Sequence, residues 1–280
     1  MKLQDKVAIV TGGGRGIGKA IALAFAQEGA DIVIFARSMP ELRETANQIQ
    51  ALGRQALAIS GDVSSKENVD NMVRLTLSEF GTIDILINNA GIQGPIGPMV
   101  ENDVDHWIQT ISTNLIGQFL CAQAVLPVMI QKRQGKIINL SGGGSTHPRP
   151  YFTAYSASKA AVVRFTETLA EEVKEFNIQV NAIAPGAANT RLLEQILAAG
   201  EAAGEKALVE AREQVKTGGT PLEKPTSLAV FMVSDEFDGL TGRLISAVYD
   251  DWSGIPRHIP EIMASDYYTM RRISPKREWR

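Results

Sequence analysis

The 280-residue sequence predicts an α/β fold, a doubly wound sheet of seven parallel strands with helices on both faces, on three observations. Short β-rich apolar runs alternate along the chain with longer segments of helical period, the pattern of repeated βαβ units. The first run, Val7 to Val10, enters a glycine-rich turn, TGGGRGIG, that opens directly into the helical segment KAIALAFAQEGA. The length suits one domain with a large core.

The elements follow in order. In the opening turn Gly12, Gly16 and Gly18 are spaced G-x-x-x-G-x-G. Such glycines let backbone approach a pyrophosphate, while the helix N-terminus offers unpaired N–H groups and a positive dipole end. Gly29 fits the C-cap. Ile32 to Ala36 is the second strand and ends in Ala36-Arg37-Ser38. Asp31 is the acid at a tempting distance, but it precedes the strand and so lies at the wrong edge of the sheet. Arg37 and Arg15, the latter inside the glycine turn, can converge on one phosphate. Glu41 to Leu52 is helical and ends at Gly53; Ala56 to Ile59 is the third strand and runs into Gly61-Asp62-Val63. Asp62 either contacts a ligand or caps the helix that begins near Ser65.

Ile83 to Ile87 is the fourth strand, closed by Asn88-Asn89-Ala90-Gly91. A helix from about Asn102 to Gln131 carries Asn114, a polar residue in need of a partner, and Pro127, expected to kink it or mark its last turns. Cys121, the single cysteine, reads as core packing. Lys136 to Leu140 is the fifth strand, with Ser141 at its carboxyl end. Ser145, His147 and Arg149 follow in a loop expected to wall a pocket, where His147 is either a surface residue or an aid to binding a polar substrate. Gln179 to Ala184, the sixth strand, ends in Pro185-Gly186, with Thr190 downstream. Residues 187–220 read as a mobile cover, helix-prone between breaks at Gly200, Gly204 and Gly218-Gly219. Leu240 to Val248 is the last strand.

In TAYSASKAA, Tyr155 and Lys159 lie one helical turn apart on one face. A phenol titrating near ~10 becomes a usable acid or base when an ammonium beside it favours the phenolate. Alone, the pair is weak evidence and reads first as a packed tyrosine and a solvated lysine. Together with TGGGRGIG, NNAG and Ser141 closing KIINLS, in this order and at these distances, it resembles the short-chain dehydrogenase/reductase family of the classical type, over about Lys2 to Asp251.

The resemblance implies a Rossmann-type fold and a tetrad of Asn114, Ser141, Tyr155 and Lys159, with Ser141 and Tyr155 also holding the substrate oxygen. It implies cofactor contacts from Gly12, Arg15, Gly16, Ile17 and Gly18, from Arg37, from Asp62 and Val63 at the adenine, and from Asn89, Ala90 and Gly91. Tyr155, Lys159, Pro185, Gly186 and Thr190 would complete them. With Ala36 where NAD-preferring relatives carry an acid, Arg15 and Arg37 predict NADP(H), with NAD(H) possible. The expected reaction interconverts a ketone or aldehyde and an alcohol, with no metal. The rivals are an NAD-dependent alcohol or sugar dehydrogenase working oxidatively and a catalytically silent NADP-binding regulator. A homotetramer, or a homodimer, is the implied assembly.

A charged fraction of 21% and a net charge of −3 give no basic field for nucleic acid or an anionic membrane. No uninterrupted apolar run reaches the ~18 residues of a membrane span, and the N-terminus lacks a signal-like segment, so a cytoplasmic location is expected. Residues 1–252 are read as one dinucleotide-binding and catalytic domain and 253–280 as a C-terminal arm. The arm either packs over its own or a neighbour's active site, where Arg271 and Arg272 could meet an anionic substrate, or is a solvated basic tail.

Overall fold

The computed structural model describes residues 1–273; the end of the basic run MRRISPKREWR, from 274 onward, lies outside the described residues. The strands are Val7–Thr11 (β1), Asp31–Ala36 (β2), Ala56–Ser60 (β3), Ile85–Asn88 (β4), Gly135–Leu140 (β5), Ile178–Ala184 (β6) and Leu244–Ser246 (β7). The helices are Gly16–Gln27 (α1), Met39–Ala51 (α2), Lys66–Phe80 (α3), Val104–Ile111 (α4), Gly117–Lys132 (α5), Thr153–Val173 (α6), Arg191–Ala199 (α7), Glu205–Thr217 (α8), Glu223–Val233 (α9) and Ile259–Met263 (α10).

Strands buried on both faces need apolar residues on both sides. β1 sends Ala8 and Val10 to one core and Ile9 to the other, and β2 divides Ile32 and Ile34 from Val33 and Phe35 in the same way. The first core is closed by α1, α2 and α9 through Ile21, Phe25, Leu42 and Leu228; the second by α3, α5 and α6 through Met72, Val125, Met129 and Leu169. Each large apolar side chain so buried stabilises the fold by about 1.5–3 kcal/mol. The result is one parallel sheet in the order β3-β2-β1-β4-β5-β6-β7, the doubly wound arrangement expected. β1 pairs with β2 on one side and β4 on the other, and the crevice at this reversal is where such sheets take ligands.

Three elements differ from expectation. β4 begins at Ile85, two residues late, because the Asp84 carboxylate accepts the Val7 N–H at 2.8 Å and pairs with Lys132. The Asn102 to Gln131 segment is helical from Val104 to Lys132 but widens into a π-helical turn at Ser112–Ile116, and Pro127 lies inside α5 without ending it. Its end is set by Arg133, which is left-handed at φ 52. By length and composition this run could cross a membrane; here Cys121, Val125 and Met129 bury one of its sides in the second core. Burial pushes the Cys121 thiol up to about 12, which leaves it inert.

β7 is only three residues long. Before it, Gly242 turns at φ +69, and Leu240 and Thr241 meet β6 through side-chain bonds: Asn181 Nδ2 donates to Leu240 O at 2.8 Å and Val180 N–H to Thr241 Oγ1 at 2.9 Å. After it, the Asp250 carboxylate accepts the Ser246 N–H at 2.6 Å.

The described part of the arm packs on its own chain. Trp252 tilts against Phe231 with ring centroids 5.4 Å apart, and Ile255 and Ile262 are buried in the first core. Leu244 N–H donates to Tyr268 O at 2.8 Å, and Arg243 donates to the carbonyls of Ile262 and Ser265 at 3.0 and 3.2 Å. Arg271 is bound to Glu167 at 2.9 Å and Asp266 at 2.6 Å. It therefore does not reach for a substrate in this chain, and Arg272 is exposed. Tyr267 stays 59% exposed, so the arm covers Trp252 and Tyr268 but not all three aromatic rings.

Candidate active site

The turn between β1 and α1 is tight. Gly12 and Gly16 adopt φ +66 and +54, and a Cβ on Gly18 would stand 2.4 Å from Gly12 O. Arg15 occupies the N-cap of α1 and supplies no side-chain acceptor, so the first N–H groups of the helix are left for a ligand. Gly12, Arg15, Gly16, Ile17 and Gly18 line a cleft of about 610 Å³. Arg37, Asp62, Val63, Ala90, Gly91 and Thr190 line it too, as does Asn89. Asn89 Nδ2 donates to Thr11 O at 2.9 Å, and Asn88 Nδ2 donates to Asn139 Oδ1 at 2.9 Å, so the NNAG turn ties β1, β4 and β5 together beneath the cleft. Asp62 is not the cap of α3: Ser65 is, accepting the Asn68 N–H at 3.3 Å, while the Asp62 carboxylate turns to Ser64.

At the far end of the cleft Ala36 leaves the strand end without an acid, and Arg37 is exposed beside it. Arg15 is held by Glu41 at 3.0 Å, and Glu41 itself lines the cleft. The first turn of α2 thus brings a carboxylate to the edge where a ribose would lie. Asp31 is at the opposite edge, paired with Arg54 at 2.9 Å.

The four tetrad residues lie behind this lining, and all are buried. The π-helical turn points Asn114 inward, where it clamps the backbone of Ile92: Oδ1 accepts the Ile92 N–H at 2.8 Å, and Nδ2 donates to Ile92 O at 2.9 Å and to Ser158 Oγ at 3.0 Å. Lys159 Nζ donates to Leu140 O at 2.7 Å, and Ser141 Oγ to Lys159 O at 3.3 Å. Gly91 is the shared boundary, since a Cβ there would sit 3.2 Å from Asn114 Oδ1 and 3.7 Å from Lys159 Nζ. Tyr155 rests its hydroxyl against the next loop, 2.6 Å from a Cβ built on Gly142.

The short chain dehydrogenase sequence profile matches residues 6–200 of this chain. The chain belongs to the short-chain dehydrogenase family. A short chain dehydrogenase of Pseudocercospora fijiensis is 35% identical over 257 residues, spanning 89% of this chain and 82% of that relative. The NAD+-bound structure of a xylitol dehydrogenase superposes with a TM-score of 0.82 at 29% identity, covering 88% of this chain and 98% of the other. An actinorhodin polyketide ketoreductase variant with NADPH superposes with a TM-score of 0.79 at 29% identity, covering 88% and 97%. The protein is thus an NAD(P)-dependent oxidoreductase, and its glycine turn, with an uncapped helix N-terminus and no room for a Cβ at Gly18, fits a dinucleotide.

The electrostatics of this short-chain dehydrogenase add a second cation to the expected one, Lys159, whose Nζ lies 5.6 Å from the centroid of the Tyr155 ring. Burial pushes the Tyr155 phenol up, and the positive charge that opposes the rise is Arg149. Burial also pulls the Lys159 ammonium down to about 8, and it is turned toward Leu140 O. Tyr155 shares an apolar cluster with Phe152, Leu193, Ile196, Ala203 and Ala211, so the helices of the 187–220 segment close over it. Pro185 and Gly186 do not line the cleft; Gly186, at φ +85, sits under Val248 and Thr220. His147 is exposed, against Thr146 at 3.4 Å. Sequence reading missed Glu41, Ile92 and Ser158. Glu41 was findable, because the start of the helix after β2 returns to the carboxyl edge of the sheet. Ile92 contributes through its backbone, which leaves no mark on residue type.

Proposed function

We propose that this enzyme interconverts a ketone or aldehyde and the corresponding alcohol, with preference for NADP(H). The observation that carries the reading is the convergence of Asn114, Ser141, Tyr155 and Lys159 behind Gly91 and Gly142, at the inner end of a dinucleotide cleft. When bound, the nicotinamide cofactor supplies or accepts the hydride. Ser141 Oγ hydrogen-bonds the substrate oxygen, and the Tyr155 hydroxyl donates a proton to it in reduction and takes it back in oxidation. Lys159 holds the nicotinamide ribose and its charge favours the phenolate, while Asn114, fixed to Ile92 and Ser158, positions a relay water. Tyr155→Phe is expected to lower turnover about 10²–10⁴-fold with NADPH affinity unchanged. Full turnover in that variant would sink the mechanism.

Arg15 and Arg37 support the NADP(H) preference, a 2′-phosphate displacing Glu41 from Arg15. Glu41 also favours a second reading, an NAD-dependent dehydrogenase of alcohols or sugars in which its carboxylate accepts from the ribose 2′-OH. Consumption of NADPH and NADH measured side by side on a carbonyl panel separates the two, and in the first reading Arg37→Ala loses the preference for NADPH. A homo-oligomer is part of the proposal. Val104, Ile108, Ile116 and Phe119 are exposed along α4, the π-helical turn and α5, an apolar stripe that a second copy would cover.

A further inference from the structure

Arg149 is a charged group near the site that acts on Tyr155 through its charge but makes no hydrogen bond to any tetrad residue and does not line the cofactor cleft. Its guanidinium lies 3.9 Å from the centroid of the Phe152 ring, a ring that is fully buried. Its Nη1 is the nearest atom to a Cβ built on Gly143, at 3.7 Å, just as the Tyr155 hydroxyl is the nearest to one on Gly142. The glycine segment after Ser141 thus carries the phenol and the guanidinium at successive positions. Among the described residues, no hydrogen bond or salt bridge engages the five N–H donors of Arg149.

The surroundings sharpen the point. Phe152, Tyr155, Leu193, Ile196 and Ala203 form an apolar cluster, and a half-buried cation beside such a cluster carries a desolvation cost that an anion would offset. The carboxylate of Glu210, on α8, acts on Arg149 at longer range, but it is exposed and its nearer partner is Lys206 at 4.0 Å. Arg149 does not line the dinucleotide cleft, so a cofactor phosphate is not its natural partner.

We propose that Arg149 is an anion subsite: the substrate carries a carboxylate near the carbonyl it presents to Tyr155, and the guanidinium binds that carboxylate through parallel N–H bonds. The geometry is the bidentate one for which arginine is suited and lysine is not. With the apolar cluster of Phe152, Leu193 and Ile196 beside it, the substrate class is an oxo acid with an apolar body. The inference rests on the carbonyl–alcohol reading and narrows it.

The test uses the full chain with its preferred reduced cofactor and a series of oxo acids, each paired with its methyl ester. The acids are expected to show the lower KM. Arg149→Met should raise KM for the acids roughly tenfold or more, the loss of hydrogen bonds to a charged group, with KM for the esters little changed; any change in kcat, from losing the charge that acts on Tyr155, falls on acids and esters alike. Arg149→Lys should recover only part, and Glu210→Gln, which removes a competing negative charge, should lower KM for the acids. The same KM for acids and esters in the parent enzyme, or an equal rise in both KM values in Arg149→Met, would overturn the subsite. Calorimetric titration with a saturated carboxylate, against the amide of the same shape, reads Arg149 without turnover. Carboxylate binding that depends on Arg149 in an enzyme that reduces no carbonyl would strike the reaction assignment and leave the subsite standing.

Discussion

Arg243 and Arg149 are both guanidinium groups drawn out of water, and their surroundings are opposites. Arg243, 8% exposed, donates to the carbonyls of Gly242, Ile262 and Ser265 at 3.0–3.3 Å. Arg149 stacks on Phe152 and donates to no described residue. Burial lowers the pKa of both, most strongly in each case, so both carry the cost of desolvation, and among the described residues only Arg243 offsets it with hydrogen bonds. The difference separates a charge that holds a fold together from a charge held ready for something else.

That contrast can be broken in order of size. Ending the chain at Gly254 strips Ile255, Ile262 and Tyr268 from the first core and both arm carbonyls from Arg243. At about 1.5–3 kcal/mol for each large apolar side chain, a loss of roughly 5 kcal/mol is expected, read as a lowered midpoint in urea. Arg243→Met should cost about 2–4 kcal/mol through the orphaned carbonyls, with kcat of the folded enzyme unchanged; a kinetic defect at full stability would erase the distinction drawn here. Lys159 offers a smaller effect with a defined pH window. Its ordinary value of 10.5 is pulled down to about 8 in the folded chain, so between about 8 and 10.5 the unfolded chain binds more protons and stability rises with pH. Thermal melts of Lys159→Met should lack that rise. Arg149→Met, the smallest, should move stability by less than about 0.5 kcal/mol, since no internal bond is lost.

The sheet was legible because each strand is a short apolar run and each linking helix has its own period. The cofactor cleft was legible for a different reason: close backbone approach leaves a glycine at Gly12, Gly16 and Gly18, and glycine is visible in a sequence. What escaped depends on pairing at a distance. The start of α2 could be placed at the sheet edge, but not its Glu41 paired with Arg15, and Arg149, six residues upstream of Tyr155, joins Lys159, four residues downstream, as a cation near the phenol. The length of β7 was overread because the Leu240 to Val248 run has the composition of a strand, while Gly242 and the side chain of Asn181 decide where the ladder starts. The arm was read as either a cover for an active site or a solvated tail, and its described part is neither: it packs Trp252 and Tyr268 against the first core. Its place, on Arg243 and Glu167 and away from the cleft, depended on partners that only the fold brings together.

The bond from Leu244 N–H to Tyr268 O has a consequence for how the protein behaves in a crowd. β7 is the last strand of the sheet, and its outer rim presents main-chain donors and acceptors to any passing strand, which is how folded sheets recruit one another into fibres. By bringing Tyr268 against Leu244, the chain hems its own fabric. A proteolytic nick after Trp252 would therefore do more than loosen a core: it would turn a well-behaved molecule into a template, and turbidity on standing would register it before any loss of secondary structure.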